Sequence, residues 1–413
     1  MTLDLLDPAT LVDPYPRYAE ERARSPVVWS ERLRAWLLLG HAEVAAALRD
    51  DARFSADRRR ARRGRGEDRA ADGAPAAATA PPAADATPIR VVASDPPECL
   101  GVRALLNEAL VPKVRAIGPR VEVLVDELLH DLARRAGGGA VVDLVEDFAY
   151  ALPIRVIAEL LDVPHGERGR FQDLSRAIAR GMDRFYGGGD VKAGLADIGA
   201  YFFALLPERR ARAAAGGAPD HDDDLMTRLL RAERGGDRLT DLEVVAMCTA
   251  LVFGGHETTV NLIANGTLAL LRHPAELERL RAEPGLLPTA VEELLRYDSP
   301  PQFVSRVVVE DTELGGTALR AGDSVLVGIG PANRDPAAFD APDRVDVGRA
   351  PNGHVAFGLG THFCPGAQLS RVEARAALGA LVARCPDLRL AGDPLWRPTF
   401  ILRGLERLPV RIG

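Results

Sequence analysis

Apolar positions along the chain fall mostly at helical spacing, with short unbroken apolar runs near the start and in the last third. Trp36-Leu37-Leu38-Leu39 before Gly40 predicts an early strand, and His41 to Leu48 a short helix. From Pro97 to about Leu271 the pattern predicts helix after helix. Breaks are expected at Gly137-Gly138-Gly139, Pro164, Gly187-Gly188-Gly189, Gly216-Gly217 and Gly235-Gly236, where helix continuation is unfavourable. After Pro300 the period shortens. Arg306-Val307-Val308-Val309-Glu310 and Ser324-Val325-Leu326-Val327 predict strands, separated by turns at Gly315-Gly316 and Gly322. A last helix is expected from about Gly366 to Arg384, stopping before Pro386. This order predicts a mainly α protein with a small β region; it contains neither a regular βαβ alternation nor a GxGxxG fingerprint. Residues Arg58 to Thr87 hold an Arg cluster and an Ala/Pro/Gly-rich run, too poor in large apolar side chains to pack, and read as a long mobile surface loop.

One helix stands out. Thr240-Asp241-Leu242-Glu243 is a capping-box pattern opening an apolar run that continues to His273-Pro274. Asp241 to Arg272 is predicted as a single helix of 32 residues, about 48 Å long at ~1.5 Å per residue. Its middle reads Gly254-Gly255-His256-Glu257-Thr258-Thr259, placing two poor helix formers and an acid inside an apolar stretch. Two readings stay open there: a glycine pair where another helix crosses, or missing side chains that let something flat and large lie against the helix. A zinc motif is excluded, because HExxH needs a second His where this chain has Val260.

A second unusual segment is Phe357-Gly358-Leu359-Gly360-Thr361-His362-Phe363-Cys364-Pro365-Gly366, one cysteine at the end of a Gly-rich loop directly before the last helix. A thiolate there faces the positive end of a helix dipole and unpaired backbone N–H groups, which are expected to lower its pKa. That setting suits an axial thiolate on haem iron; a buried free cysteine is the alternative.

Composition narrows the classes. The chain has 413 residues, 47% hydrophobic and 27% charged, which excludes disordered, collagen-like and disulfide-scaffold proteins. Length alone suggests two or three domains at roughly 150 residues each. The formal charge of −7 opposes a generic nucleic-acid or anionic-membrane binder. Only Lys113 and Lys192 are lysines, so any basic patch is made of arginine. The cysteines at 99, 248, 364 and 385 share no CxxC spacing, and a reducing, cytoplasmic setting is expected. Met1 to Pro8 carries no signal-peptide pattern, and the apolar stretch Val244 to Phe253 is far short of the ~18 to 20 residues of a membrane span.

FGLGTHFCPG resembles the haem-binding signature of the cytochrome P450 family, and GGHETT resembles that family's distal oxygen-activation motif. Glu293-Leu294-Leu295-Arg296 matches its Glu-x-x-Arg element, whose spacing puts both charges on one helix face. The resemblance runs from about Asp13 to the C-terminus. It implies one triangular, mainly helical domain over residues 1 to 413, with haem between the long central helix and the cysteine-bearing loop. By resemblance Cys364 is the proximal iron ligand, Glu257 and Thr258 are the acid and alcohol that order water and deliver protons, and Gly254 opens the oxygen pocket. Arg103, Arg306 and His362 take the positions that bind the haem propionates. Ala250, Phe357, Gly358 and Gly366 complete the haem contacts. The segment Asp95 to Arg103 departs from the family at Cys99, where many relatives carry His. Residues 58 to 87 are long for the loop that roofs the substrate pocket.

The same resemblance implies haem b, dioxygen and electrons from NAD(P)H, which a ferredoxin and a ferredoxin reductase must deliver, since the chain has no flavin or nicotinamide fingerprint. An Arg-made proximal patch of Arg103, Arg371 and Arg375 is the expected docking surface. The expected protein is a cytoplasmic monomer that binds neither nucleic acid nor membrane. The expected reaction is hydroxylation or epoxidation of a hydrophobic small molecule, a secondary metabolite of polyketide, peptide or terpenoid type. The alternatives are oxidative coupling without oxygen insertion, a haem-binding sensor, and a peroxygenase; an intact Glu257-Thr258 pair speaks against the last two. Candidate pocket residues are Ile89, Val91, Val92, Ala250, Phe253, Gln302, Phe303, Val304, Phe400 and Ile401.

Overall fold

The computed structural model describes residues 4–57, 59–60, 94–137, 139–183, 191–215, 223–234 and 236–412. Its first elements are helices α1 (Pro8–Val12), α2 (Tyr15–Arg24) and α3 (His41–Arg49), with strands β1 (Val27–Ser30), β2 (Ala35–Leu38) and β3 (Phe54–Ser55) around them. The helical middle follows as α4 (Glu98–Ala116), α5 (Gly118–Arg135), α6 (Ala151–Leu160), α7 (Arg168–Asp183), α8 (Val191–Ala214) and α9 (Leu225–Arg231). Short strands interrupt it: β4 (Val142–Asp143), β5 (Glu233–Arg234) and β6 (Asp237–Arg238). Helices α10 (Asp241–Gly255), α11 (Glu257–Arg272), α12 (Pro274–Ala282) and α13 (Leu287–Tyr297) complete the middle. The last third holds β7 (Phe303–Val308), β8 (Thr312–Leu314), β9 (Thr317–Leu319), β10 (Ser324–Gly328) and α14 (Ile329–Asn333). It ends in α15 (Ala367–Arg384), β11 (Arg389–Leu390), β12 (Leu395–Trp396), β13 (Leu405–Arg407) and β14 (Pro409–Arg411).

The expected early strand forms as β2, and its apolar run is explained by its place. In the five-stranded sheet of order β1-β2-β10-β7-β3 it pairs antiparallel with β1 and parallel with β10. Leu37 and Leu38 point to opposite faces, and both are fully buried. On β10, Val325 lies opposite Arg306 of β7, which fixes the height at which that arginine leaves the sheet. Gly315, Gly316 and Gly322 take positive φ, as their turns require. Helices α5, α6, α8, α10, α11 and α15 share the largest apolar cluster. Of the expected glycine breaks, Gly138, Gly187 to Gly189, Gly216, Gly217 and Gly235 lie outside the described residues, as do Arg58 and residues 61–87 of the expected loop.

The expected single central helix is corrected. Asp241–Gly255 and Glu257–Arg272 are separate helices, with His256 between them at φ −80° and ψ −71°. Two glycines weaken the helix just before the break. The Thr258 hydroxyl donates to the Gly254 carbonyl at 2.8 Å, a back-bond of the kind that bends helices. The capping box forms as expected, with Thr240 and Glu243 exchanging side-chain and backbone bonds.

Candidate active site

The cysteine-bearing loop is shaped by two glycines with φ of +72° at Gly358 and +67° at Gly360. A Cβ on Gly360 would lie 2.8 Å from the Leu48 carbonyl oxygen, so the loop rests directly on the end of α3 (His41–Arg49). Cys364 closes the loop by donating its backbone N–H to the Phe357 carbonyl at 2.9 Å. Burial pushes the Cys364 thiol above its ordinary pKa, although the Gly366 and Ala367 backbone N–H groups and the charges of Arg103 and Arg371 pull the other way. The expected lowering by the helix terminus is therefore corrected: desolvation outweighs it. A metal bound at the sulfur would deprotonate it.

The chain leading into that loop is anchored by Glu293 and Arg296, both fully buried on α13 (Leu287–Tyr297). Arg296 donates to both Glu293 oxygens, at 2.8 and 2.9 Å, and to the carbonyls of Asn333, Pro342 and Arg344. Glu293 in turn accepts from Arg349, Asn352 and the Asp346 backbone. The spacing of three thus does more than pair two charges: it pins residues 333 to 352.

Arg306, His362 and Arg103 come together beside the loop. Arg306 is buried, and its Nε has no hydrogen-bond partner. His362 Nε2 lies 3.6 Å from Asp51 Oδ1, and neither atom has a hydrogen-bond partner. Burial, then the Arg306 and Arg103 cations, hold the His362 imidazole below its ordinary pKa, with Asp51 and Asp95 opposing. Arg103 donates to the Phe363 carbonyl. The unpartnered Arg306 Nε and His362 Nε2 are buried nitrogens that a pair of carboxylates would complete. Cys99 is fully buried against the same group, its thiol raised by burial with Arg103 opposing.

Across from the loop, Thr259 Oγ1 donates to Ser370 Oγ at 3.3 Å, which joins α11 (Glu257–Arg272) to α15 (Ala367–Arg384). Glu257 is 2% exposed and ion-pairs with Arg397. Gly254 is exposed, and a Cβ there would meet nothing within 4 Å, so open space adjoins the Thr258 hydroxyl. Ala250 is half-buried on the preceding turn.

A family model described as Cytochrome P450 matches residues 197–386. The chain is 39% identical over 410 residues to the cytochrome P450 monooxygenase PikC of Streptomyces venezuelae, covering 97% of this chain and 91% of that protein. The chain belongs to the cytochrome P450 family. It is also 39% identical to 6-deoxyerythronolide B hydroxylase of Saccharopolyspora erythraea, covering 99% of this chain and 98% of the relative. The solved structure of the Bacillus subtilis 168 bacillaene polyketide synthase cytochrome P450 PksS superposes with a TM-score of 0.85 at 32% identity, over all of both chains. This P450 has the P450 fold, acts as a monooxygenase and, with its family, depends on haem iron and dioxygen.

Several side chains of this P450 sit elsewhere than expected. Gln302 is buried, donating to Tyr15 Oη at 3.1 Å and the Ser299 carbonyl at 2.7 Å. Phe303 packs edge-on against Tyr18 and Phe400, and both phenylalanines are core residues. These side chains pack the N-terminal helices onto the sheet, and Gln302 and Phe400 also line a small cavity there with Tyr18 and Arg403. Val304, Phe253 and Ile401 are half-buried at core edges. Ile89, Val91 and Val92 lie outside the described residues. Arg371 is not a free patch cation: it donates to Glu292 at 2.7 and 2.8 Å and lies 4.5 Å from the Phe357 ring centroid. Arg375 is half-buried. Arg397 and Asp51 were absent from the expected site; a buried Glu257 demands a cation, yet nothing local in the sequence says which of the many arginines supplies it. Among the described residues no helix is long and apolar enough to cross a membrane.

Proposed function

We propose that this P450 binds haem b through Cys364 and hydroxylates or epoxidises a hydrophobic secondary metabolite of polyketide type. Electrons would come from NAD(P)H through a ferredoxin and its reductase. The observation that carries the cofactor reading is the pair of buried, unpartnered nitrogens, Arg306 Nε and His362 Nε2, beside the loop cysteine at the start of the last helix. Support for the substrate class comes from the relatives, among them the polyketide biosynthesis cytochrome P450 PksS of Bacillus subtilis at 37% identity over 78% of this chain.

Cys364 would hold the iron, with Arg306, His362 and Arg103 on the propionates and Phe357, Gly358 and Gly366 among the residues that would hold the ring. Thiolate-ligated haem supplies dioxygen activation and oxidation of unactivated carbon when bound. The chain's part is to manage protons and water. The Thr258 hydroxyl, which now donates to the Gly254 carbonyl, can turn its proton toward the open space at that glycine. Glu257, held by Arg397, is the carboxylate that can pass protons to it from the protein side. A sensor would have no use for this pair, and a peroxygenase would bypass it.

The deciding measurement is the spectrum of the reduced protein under carbon monoxide. The red-shifted Soret band of a thiolate-ligated haem is expected, absent in Cys364→Ser; folded, haem-loaded protein without that band would overturn the assignment. The substrate class is tested by titrating 6-deoxyerythronolide B and a panel of peptides and terpenoids and following the low-to-high-spin shift. A shift by macrolactones supports the polyketide reading, and a shift confined to the other classes removes it.

A further inference from the structure

His256 sits in the break between α10 (Asp241–Gly255) and α11 (Glu257–Arg272), and it is 1% exposed. Its Nε2 lies 3.1 Å from the Tyr150 carbonyl oxygen, which can only accept, so this nitrogen carries a proton. Nδ1 lies 2.6 Å from Ser175 Oγ on α7 (Arg168–Asp183). The ring also packs edge-on against Tyr150, with centroids 4.4 Å apart. Both ring nitrogens and one ring face are thus held by two other elements, 81 and 106 residues away in sequence.

Glu257 and Thr258 follow directly. Fixing the His256 ring fixes the rotation of the first turn of α11, and with it the directions in which the Glu257 carboxylate meets Arg397 and the Thr258 hydroxyl meets Gly254. A break without such a hold would let that turn fray, since two glycines precede it.

We infer that His256 is a positioning residue for the Glu257–Thr258 pair, and that the Ser175 hydroxyl couples helix α7 to that pair. The inference rests on the proton-handling role proposed above. Any displacement of α7 then reaches the proton-delivering side chains through one buried hydrogen bond.

The test compares holoenzyme variants by two readouts: amide hydrogen exchange through residues 254–258, and peroxide recovered per NAD(P)H consumed with ferredoxin and reductase but no organic substrate. Misdirected proton delivery favours two-electron, two-proton reduction of dioxygen to peroxide over four-electron, four-proton reduction to water. Ser175→Ala should raise exchange in this segment about five-fold, the worth of one neutral hydrogen bond, and raise the peroxide ratio toward that of Thr258→Ala. His256→Gln, which can still reach Tyr150 but not Ser175, should behave alike. Ser175→Thr and His256→Asn, which keep the bond between positions 175 and 256, should stay nearer the wild type. If Thr258→Ala raises the ratio while Ser175→Ala and His256→Gln match the wild type in both readouts, the coupling is overturned and the proton-handling reading stands. If Thr258→Ala itself changes nothing, that reading fails first.

Discussion

Glu292 accepts two hydrogen bonds from Arg371, at 2.7 and 2.8 Å, and one from His354 Nε2 at 3.0 Å. His354 Nδ1 accepts from the Ala356 backbone N–H at 3.1 Å, so the ring proton sits on Nε2 and points at the carboxylate. Burial acts to raise the Glu292 pKa, but Arg371 and His354 outweigh it and hold the carboxyl down at about 2. A depressed carboxylate contributes stability above its unfolded value, about 4.3, and that contribution is lost as pH falls through about 2. Glu292→Gln should therefore destabilise the protein at pH 7 by on the order of 1–2 kcal/mol, discounted because the side chain is 27% exposed. In urea denaturation the gap to wild type should close as pH falls below about 4; a gap that stays constant with pH would show that shape, not charge, is at work. At the distal side Arg397→Met leaves Glu257 buried without its cation. The expected outcome is more peroxide per NAD(P)H with an unchanged carbon monoxide spectrum, and unchanged coupling would remove Arg397 from proton delivery.

Among the elements, the cysteine loop is set by contacts that single substitutions can probe. Gly360 has φ +67°, and a Cβ there would meet the Leu48 carbonyl at 2.8 Å and the Arg49 Cα at 3.2 Å, all backbone that cannot swing aside. Gly360→Ala should cost about 2 kcal/mol or more and lower the haem content of purified protein. Gly353→Ala, where a Cβ meets nothing within 4 Å, should stay near wild type in thermal midpoint and haem content. Loss of equal size at both positions would mean the loop is not seated on α3 (His41–Arg49). This loop was legible in the sequence because its logic is local: glycines where φ turns positive, a cysteine, then a helix start. The capping box at Thr240 and the strand pair around Arg306 were legible for the same reason. The break at His256 was not, because the side chains that hold its ring are far off in sequence and look ordinary there. Nor could alternation show that Phe303 and Phe400 pack against each other, since a period of two marks a buried face without saying what covers it.

For the whole molecule, the two ends of the chain meet on one arginine. Arg403 is buried between strands β12 (Leu395–Trp396) and β13 (Leu405–Arg407). It donates to Asp298 at 2.7 Å and to the carbonyls of Leu11 and Val12 at 3.1 and 3.0 Å, and it lies 3.6 Å from the Trp396 ring centroid. Tyr15 Oη donates to the same Asp298 at 3.0 Å, so the N-terminal helices, the end of α13 (Leu287–Tyr297) and the C-terminal hairpin close on one ion pair. Replacing Arg403 by Met keeps much of the volume but strands Asp298, which is 8% exposed, and two carbonyls. Breaking one side of a buried pair costs about 3–5 kcal/mol, most of it from the charge left behind. Arg403→Met should show a loss of that size in urea denaturation, whereas Arg403→Met combined with Asp298→Asn should recover part of it, since the stranded charge is gone. The hairpin also carries Arg397, so the single variant should release more peroxide as well, and the double variant less. Strict additivity of the two substitutions, with no change in peroxide, would show that the ends are held elsewhere and that the hairpin reaches Glu257 without help from this clamp.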